Sequence, residues 1–144
     1  MQSVNYILYE ILRNIYKHSK FKNAYIQINY YRTIQNFDIC IIYDSIGIPG
    51  SFSESAIKYE QDDECIYNAI NGKTTDKEKF NLHGRGLNSS VRITTLGFKG
   101  EMLITSGKGI FIINEHGAET YLNKNKMQGT FIVMRINNKK IDKL

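Results

Sequence analysis

The chain has 144 residues, of which 42% are apolar, 23% are charged and one is proline. These values are those of an ordinary globular domain, and they exclude disordered, collagen-like and mucin-like chains. No apolar run approaches the ~20 residues that a transmembrane helix needs, and the N-terminal segment lacks the features of a signal peptide. We therefore expect one cytoplasmic domain without a membrane partner.

Lys and Arg number 19 against 14 Asp and Glu, which gives a net charge of +5 and a pI near 9.1. The basic residues are scattered except in residues 139–144, which we expect to form a basic C-terminal tail. A scattered excess is typical of a solvated surface, so it disfavours nucleic acid as a partner. The cysteines and histidines show no metal-ligand spacing, and Cys40 is predicted to be a reduced thiol in the core.

Apolar residues recur at helical spacing near the N-terminus and predict a helix over residues 2–19. Alternating residues rich in β-formers then predict strands over 24–31 and 37–43, joined by a hairpin turn. Residues 44–52 contain several turn-formers and the only proline, and are predicted to be a loop.

Residues 53–83 are polar and long for a connection in a small domain, which is typical of a lid or binding loop. A short helix is predicted within them, over residues 62–70. A glycine-rich turn then opens another helix, followed by strands over 101–106, 109–114 and 129–136. This order predicts an α+β fold, a two-layer sandwich with helices on one face of a mostly antiparallel sheet.

Four polar residues of the first helix, Glu10, Asn14, Lys17 and His18, form one stripe at i, i+4, i+7 and i+8. Such a stripe alone is most often a solvated helix face. The residue types in this stripe favour a functional site, because an Asn oxygen suits Mg²⁺ and a Glu one turn away can orient or deprotonate a water. A lysine adds a point charge for phosphate oxygens.

Two glycine-containing segments could also contact a ligand. Residues 84–87 (GRGL) precede a helix, where backbone amides and the helix dipole favour an anion, although this short pattern alone is weak. Asp44 ends a buried strand, where a carboxylate can accept a hydrogen bond from a ligand amine or simply cap a turn.

Together and in this order, these segments resemble the GHKL ATPase superfamily, which includes DNA gyrase, sensor histidine kinases, mismatch-repair ATPases and anti-sigma-factor kinases. Residues 10–18 are similar to its N-box, 44–49 to its first glycine box (DxGxGIP), 84–87 to its second (GxGL) and 129–130 to its closing GT motif. The likeness spans residues 2–136 and is closest to small stand-alone bacterial and archaeal ATP-binding proteins. It implies the Bergerat ATP-binding fold over residues 1–138, with ATP and Mg²⁺ as cofactors and the lid at about 53–83.

The resemblance also implies roles for single residues. Asn14 would hold Mg²⁺, Glu10 would position or activate the attacking water or hydroxyl, and Lys17 would lie near phosphate. Asp44 would accept a hydrogen bond from the adenine amino group, supported by Thr130. The glycine boxes would complete the cofactor-binding set, which consists of Gly47, Gly84, Arg85, Gly86 and Leu87.

The first glycine box departs from the family pattern. The family has a glycine two residues after the aspartate, whereas here the first glycine after Asp44 is Gly47. An ungapped match anchored on residues 48–49 places Tyr43 at the aspartate position. Either the strand bulges by one residue and Asp44 points inward, which is the alternative we favour here, or the adenine contact is lost.

The leading hypothesis is a Mg·ATP-binding module that acts as a small cytosolic protein kinase, or as a slow ATPase switch, on a separate partner protein. The alternatives are a nucleotide-binding module without catalysis and a nucleotide-dead adaptor for protein contacts. A homodimer is left open.

Overall fold

The computed structural model describes residues 2–71 and 86–137. Within these ranges the helices are α1 (Gln2–His18), α2 (Gly47–Glu54), α3 (Asp62–Ile70) and α4 (Gly86–Arg92), and α4 continues into a π-helical turn, Ile93–Gly97. The strands are β1 (Ala24–Tyr31), β2 (Asn36–Tyr43), β3 (Glu101–Asn114) and β4 (Gly117–Asn137).

The described strands form one antiparallel sheet in the order β1-β2-β4-β3. The register aligns Ile39 with Met134 and Met134 with Met102, so these side chains share one face of the sheet. Helices α1, α3 and α4 add their apolar residues to the same core. The prediction of a mixed α+β fold with an antiparallel sheet is therefore confirmed.

Helix α1 is held by a single apolar stripe. Ile7, Ile11 and Ile15 recur every four residues and are almost completely buried, whereas Tyr9 and Tyr16 on other faces are exposed. Burying each isoleucine stabilises the fold by roughly 1.5–3 kcal/mol, enough to fix the orientation of the helix. The predicted bounds of this helix are confirmed to within one residue, and the polar stripe is consequently held in place beside the core.

Strand β1 has the predicted bounds, but both of its faces are largely exposed. Ile26 and Ile28 lie 46% and 55% exposed, because no described helix extends over this edge of the sheet. The predicted core position of Cys40 is wrong, although it is an unpaired thiol as expected: it lies half-buried on the face of β2 opposite to the core, since strand side chains alternate. Both cysteines are unpaired thiols, and the buried one is Cys65.

The predicted loop over residues 44–52 is wrong from Gly47 onward, where α2 begins. The proline lies in the first turn of α2, where its missing N–H removes no helical hydrogen bond. Phe52 is buried and anchors the helix. Gly47 has a φ of +74°, which provides the sharp entry that a side chain would oppose.

The predicted strands 101–106 and 109–114 are one strand, β3, with an irregular register between Ser106 and Gly109. Strand β4 begins at Gly117 rather than at residue 129. Residues 117–128 show no alternation of apolar and polar side chains, because this part of β4 is exposed and is held by backbone pairing with β3.

Helix α3, within the predicted lid, has the predicted bounds. Ile66 and Ile70 are buried in the core, so residues 53–71 contain an element packed against the sheet. Gly109 permits this close packing, because a Cβ there would lie 2.7 Å from the backbone of Asp62. The remaining part of the predicted lid, 72–83, and the predicted tail, 139–144, lie outside the described residues.

We expect Gly129→Ala to lower the free energy of unfolding by about 2 kcal/mol or more. Gly129 has a φ of +89°, and a Cβ there would lie 2.1 Å from the carbonyl oxygen of Tyr43. Urea unfolding would measure the loss. The control is Gly117→Ala, where φ is +151° but no atom lies within 4 Å of the added Cβ, so the loss should be clearly smaller. Equal losses would show that strain alone, rather than the close approach, sets the cost.

Candidate functional site

The polar stripe of α1 contains one deeply buried acid. Glu10 is 5% exposed, and its Oε2 atom has no hydrogen-bond partner among the described residues. Its other oxygen, Oε1, lies 3.7 Å from Nη1 of Arg13. Asn14, one turn further, is half-buried, and Lys17 is exposed. At Glu10 the stripe is therefore not a solvated helix face.

The second glycine box lies only partly within the described residues. Gly86 begins α4 and Leu87 packs against the core, whereas Gly84 and Arg85 lie outside the described part of the chain. Helix α4 packs against α1, so the described end of this box belongs to a helix that contacts the one carrying the polar stripe. Its role in holding phosphates stays a prediction.

Both carboxylate oxygens of Asp44 are hydrogen-bonded to the loop that precedes β1. Its Oδ1 accepts hydrogen bonds from the backbone N–H groups of Lys22 (2.6 Å) and Asn23 (2.8 Å), and its Oδ2 accepts one from Nδ2 of Asn23 (2.8 Å). These bonds, chiefly the backbone bond from Asn23, lower the pKa of Asp44. The carboxylate therefore caps a turn.

Tyr43 is the residue that lies beside Thr130. The β2–β4 register runs from Asn36 to Tyr43 without a shift and places Tyr43 opposite Thr130. The strand does not bulge, so the expectation that Asp44 points inward is wrong. Burial raises the pKa of Tyr43 to about 12, against a smaller lowering by its hydrogen bond with Thr130. At neutral pH this position therefore presents an uncharged phenol.

A buried hydroxyl network joins the closing GT motif to the first glycine box. Ser106 Oγ donates to the carbonyl of Gly129 (3.0 Å) and lies 2.9 Å from Oγ1 of Thr130. It also accepts a hydrogen bond from the backbone N–H of Ile48 (2.9 Å). Because Ser106 has one proton, Thr130 is the donor in the bond between the two hydroxyls.

Gly47 is required beside this network, because a Cβ there would lie 2.8 Å from Ser106 Oγ. The sequence patterns indicate Gly47 and Thr130 as site residues but do not indicate Ser106. The available signal was a serine that interrupts the apolar strand pattern of residues 101–106.

The described residues offer no group of three His, Cys, Asp or Glu side chains that could hold a metal ion by themselves. Asn14 supplies a hard side-chain oxygen that suits Mg²⁺ if ligand phosphates and waters provide the remaining oxygens, and the unpaired oxygen of Glu10 could accept a hydrogen bond from such a water. The residues of α1 thus fit a magnesium–phosphate group, whereas the expected adenine-binding carboxylate is turned to another loop.

No known family model matches the chain, and no curated protein is significantly similar to it. In the part of the chain that the structure describes, no helix combines the length and apolar character that a bilayer crossing requires. The assignment of the site therefore depends on its geometry and on the residue patterns.

We expect Tyr43→Phe to change how stability depends on alkaline pH. The folded-state pKa of Tyr43 is raised to about 12 against about 10 unfolded, so the folded state keeps this proton longer. The resulting stabilisation is fully present below pH 10 and is lost as the pH rises towards 12. Wild type should lose on the order of 2–3 kcal/mol more than Tyr43→Phe across that window.

Denaturant unfolding between pH 9 and 12, for both proteins, measures this difference. The other tyrosines are common to both proteins and cancel in the comparison. Parallel pH profiles would contradict the buried, neutral phenol.

Proposed function

We propose that the protein is a Mg·ATP-binding module of the GHKL type, which acts in the cytoplasm as a small protein kinase or slow ATPase switch on a separate partner protein. The supporting observation is Glu10: a carboxylate 5% exposed, with Oε2 unpaired among the described residues, one helical turn from Asn14. Burying such an oxygen without a partner is costly, so it is expected at a site that a bound cation or water completes.

In this proposal Asn14 holds Mg²⁺ against the triphosphate, and Lys17 lies near a phosphate oxygen. Bound Mg²⁺ would neutralise the charge that develops on the phosphates. Glu10 orients the attacking water or hydroxyl through its unpaired oxygen and accepts its proton. Phosphoryl transfer depends mainly on such positioning and electrostatic stabilisation, so this short set of side chains is chemically sufficient.

At the position where the resemblance implies the contact with adenine, the chain presents the hydroxyl groups of Tyr43 and Thr130 instead of a carboxylate. A carboxylate accepts hydrogen bonds only, and so selects the amino group of adenine. The Tyr43 hydroxyl can both donate and accept, so it also tolerates the carbonyl of guanine. The proposed module should therefore distinguish ATP from GTP poorly.

The second candidate is a nucleotide-dead adaptor that keeps the fold for protein contacts. The observation that favours it is the engagement of both Asp44 oxygens by residues 22–23, which leaves the expected adenine acceptor occupied. Calorimetric titration with Mg·ATP separates the two functions. Absence of binding at about 1 mM nucleotide, the weak end of specific affinity, would favour the adaptor.

We expect Asn14→Ala to weaken Mg·ATP binding by about 1–3 kcal/mol, because a ligand of the cation is removed. Isothermal titration calorimetry with and without Mg²⁺ measures the change, and the magnesium-dependent part of the affinity should be the part that falls. The matched control is Asn5→Ala, which removes an exposed asparagine from the opposite face of the same helix. Unchanged affinity for Asn14→Ala would remove this residue from the site.

We expect Glu10→Gln to lower ATP turnover about 100-fold or more while nucleotide affinity changes little, because the amide keeps the size of the side chain but cannot accept a proton. The neutral amide is also easier to bury, so the nucleotide-free variant should gain about 1 kcal/mol in free energy of unfolding. Phosphate release at saturating Mg·ATP and urea unfolding give the two readouts. Identical nonzero release by both proteins would rule out the proton-accepting role.

A further inference from the structure

A cavity of about 300 Å³ lies between α3 and the hairpin of β3 and β4. Helix α3 contributes two acids and an aromatic ring to its wall, and the hairpin contributes a second aromatic ring, a methyl group and a hydroxyl. The lining residues are Asp63, Glu64, Tyr67, Phe111, Ala118 and Thr120. The two aromatic rings have their centroids 6.4 Å apart. None of these residues belongs to the candidate site, and their combination suits a cation on an apolar stem.

One acid in the cavity wall has an unused oxygen. Three acidic residues open α3, and two of them already serve the backbone: Asp62 Oδ2 accepts from the N–H of Lys108 (2.7 Å), and Glu64 Oε2 accepts from the N–H of Glu60 (2.8 Å). Asp63 Oδ1 is buried and has no hydrogen-bond partner among the described residues. It is therefore the acceptor that a bound cationic N–H group would satisfy.

The same cavity borders an unpaired strand edge. Between residues 117 and 128, β4 pairs with β3 on one side only, because β2 meets β4 from Thr130 onward. The described chain therefore leaves the main-chain groups of this outer edge available for another strand. Thr120 pairs with Phe111, which places it on the face that α3 covers and beside the cavity.

We propose that an extended segment of a partner protein pairs with the outer edge of β4 and inserts an arginine side chain into this cavity. An added strand lies about 4.8 Å beyond β4, so only a long side chain reaches across Thr120 to the acids. The guanidinium group donates to Asp63 Oδ1 and packs on the ring of Tyr67.

The charged residues that line the cavity determine which charge an inserted side chain should carry. The chain as a whole carries +5, yet the charged residues of this cavity are two carboxylates. The cavity therefore complements a cationic side chain and not a phosphate group of a nucleic acid or an anionic membrane. This inference stands independently of the proposed nucleotide binding.

A fluorescein-labelled peptide of sequence TVTRTVT tests the proposal. As a strand it places its threonines on one face and its arginine, between two valines, on the other. We expect the full chain to bind it, as measured by fluorescence anisotropy, and to bind the TVTQTVT peptide at least about 10-fold more weakly. Hydrogen exchange should show amides of residues 117–126 protected by the arginine peptide. Equal binding of the two peptides, no binding at about 1 mM, or binding without this protection would each overturn the proposal.

Two matched variants locate the contact. Asp63→Asn removes one carboxylate from the cavity, whereas Glu119→Gln removes one from the opposite face of the same hairpin. Asp63→Asn should weaken peptide binding at least about 10-fold and Glu119→Gln less than about 2-fold. Thr120→Lys, at an exposed position, should also abolish binding by placing a tethered cation in the cavity. Equal effects of Asp63→Asn and Glu119→Gln, in variants with unchanged circular dichroism, would overturn the assignment to this cavity.

Discussion

The close approach of the end of β2 to Gly129, just before β4 begins to pair with β2, determines the geometry around the first glycine box. It is possible only because Gly129 has no side chain, since any Cβ would overlap the carbonyl of Tyr43. This approach fixes the register that places Tyr43 opposite Thr130, and the Ser106 hydroxyl then joins Gly129 to the backbone of Ile48. The entry to α2 is thus tied to the sheet by buried hydrogen bonds, which are worth more in a low-dielectric interior than at the surface.

The acidic residues of the chain differ in their burial and in how fully their oxygens are hydrogen-bonded. Asp44 is fully engaged as a turn cap, and Asp38 forms two 2.8 Å hydrogen bonds with Arg135 on the open face of the sheet. Glu10 is buried with an oxygen left unpaired among the described residues. Satisfied acids stabilise the fold, whereas an unsatisfied buried acid weakens it unless a ligand is present. This contrast is the reason that Glu10, rather than Asp44, is the centre of the proposed function.

The sequence predicted those parts of the structure in which one face of an element is buried. The helical repeat of Ile7, Ile11 and Ile15 gave the bounds of α1, and the acid-rich start and apolar end of Asp62–Ile70 gave α3. It could not predict the first half of β4, which is held by backbone pairing and has exposed side chains. It also placed Asp44 inward, because deciding between Tyr43 and Asp44 needs the strand register, and the register depends on Gly129, 85 residues further along the chain.

The exposed edge strand β1 has a consequence for how the protein behaves when concentrated. Its sequence, AYIQINYY, contains neither a charge nor a proline, and its isoleucines are about half exposed. Segments of this kind are self-templating, because identical copies can stack edge to edge with matched side chains. The charges that flank the strand in the sequence, on Lys22 and Arg32, are both positive and oppose pairing with a second copy, whereas Lys20 is ion-paired with Glu54. That repulsion is screened within about 10 Å at 0.1 M salt, so the colloidal stability of the protein is tied to ionic strength rather than to the strength of its fold.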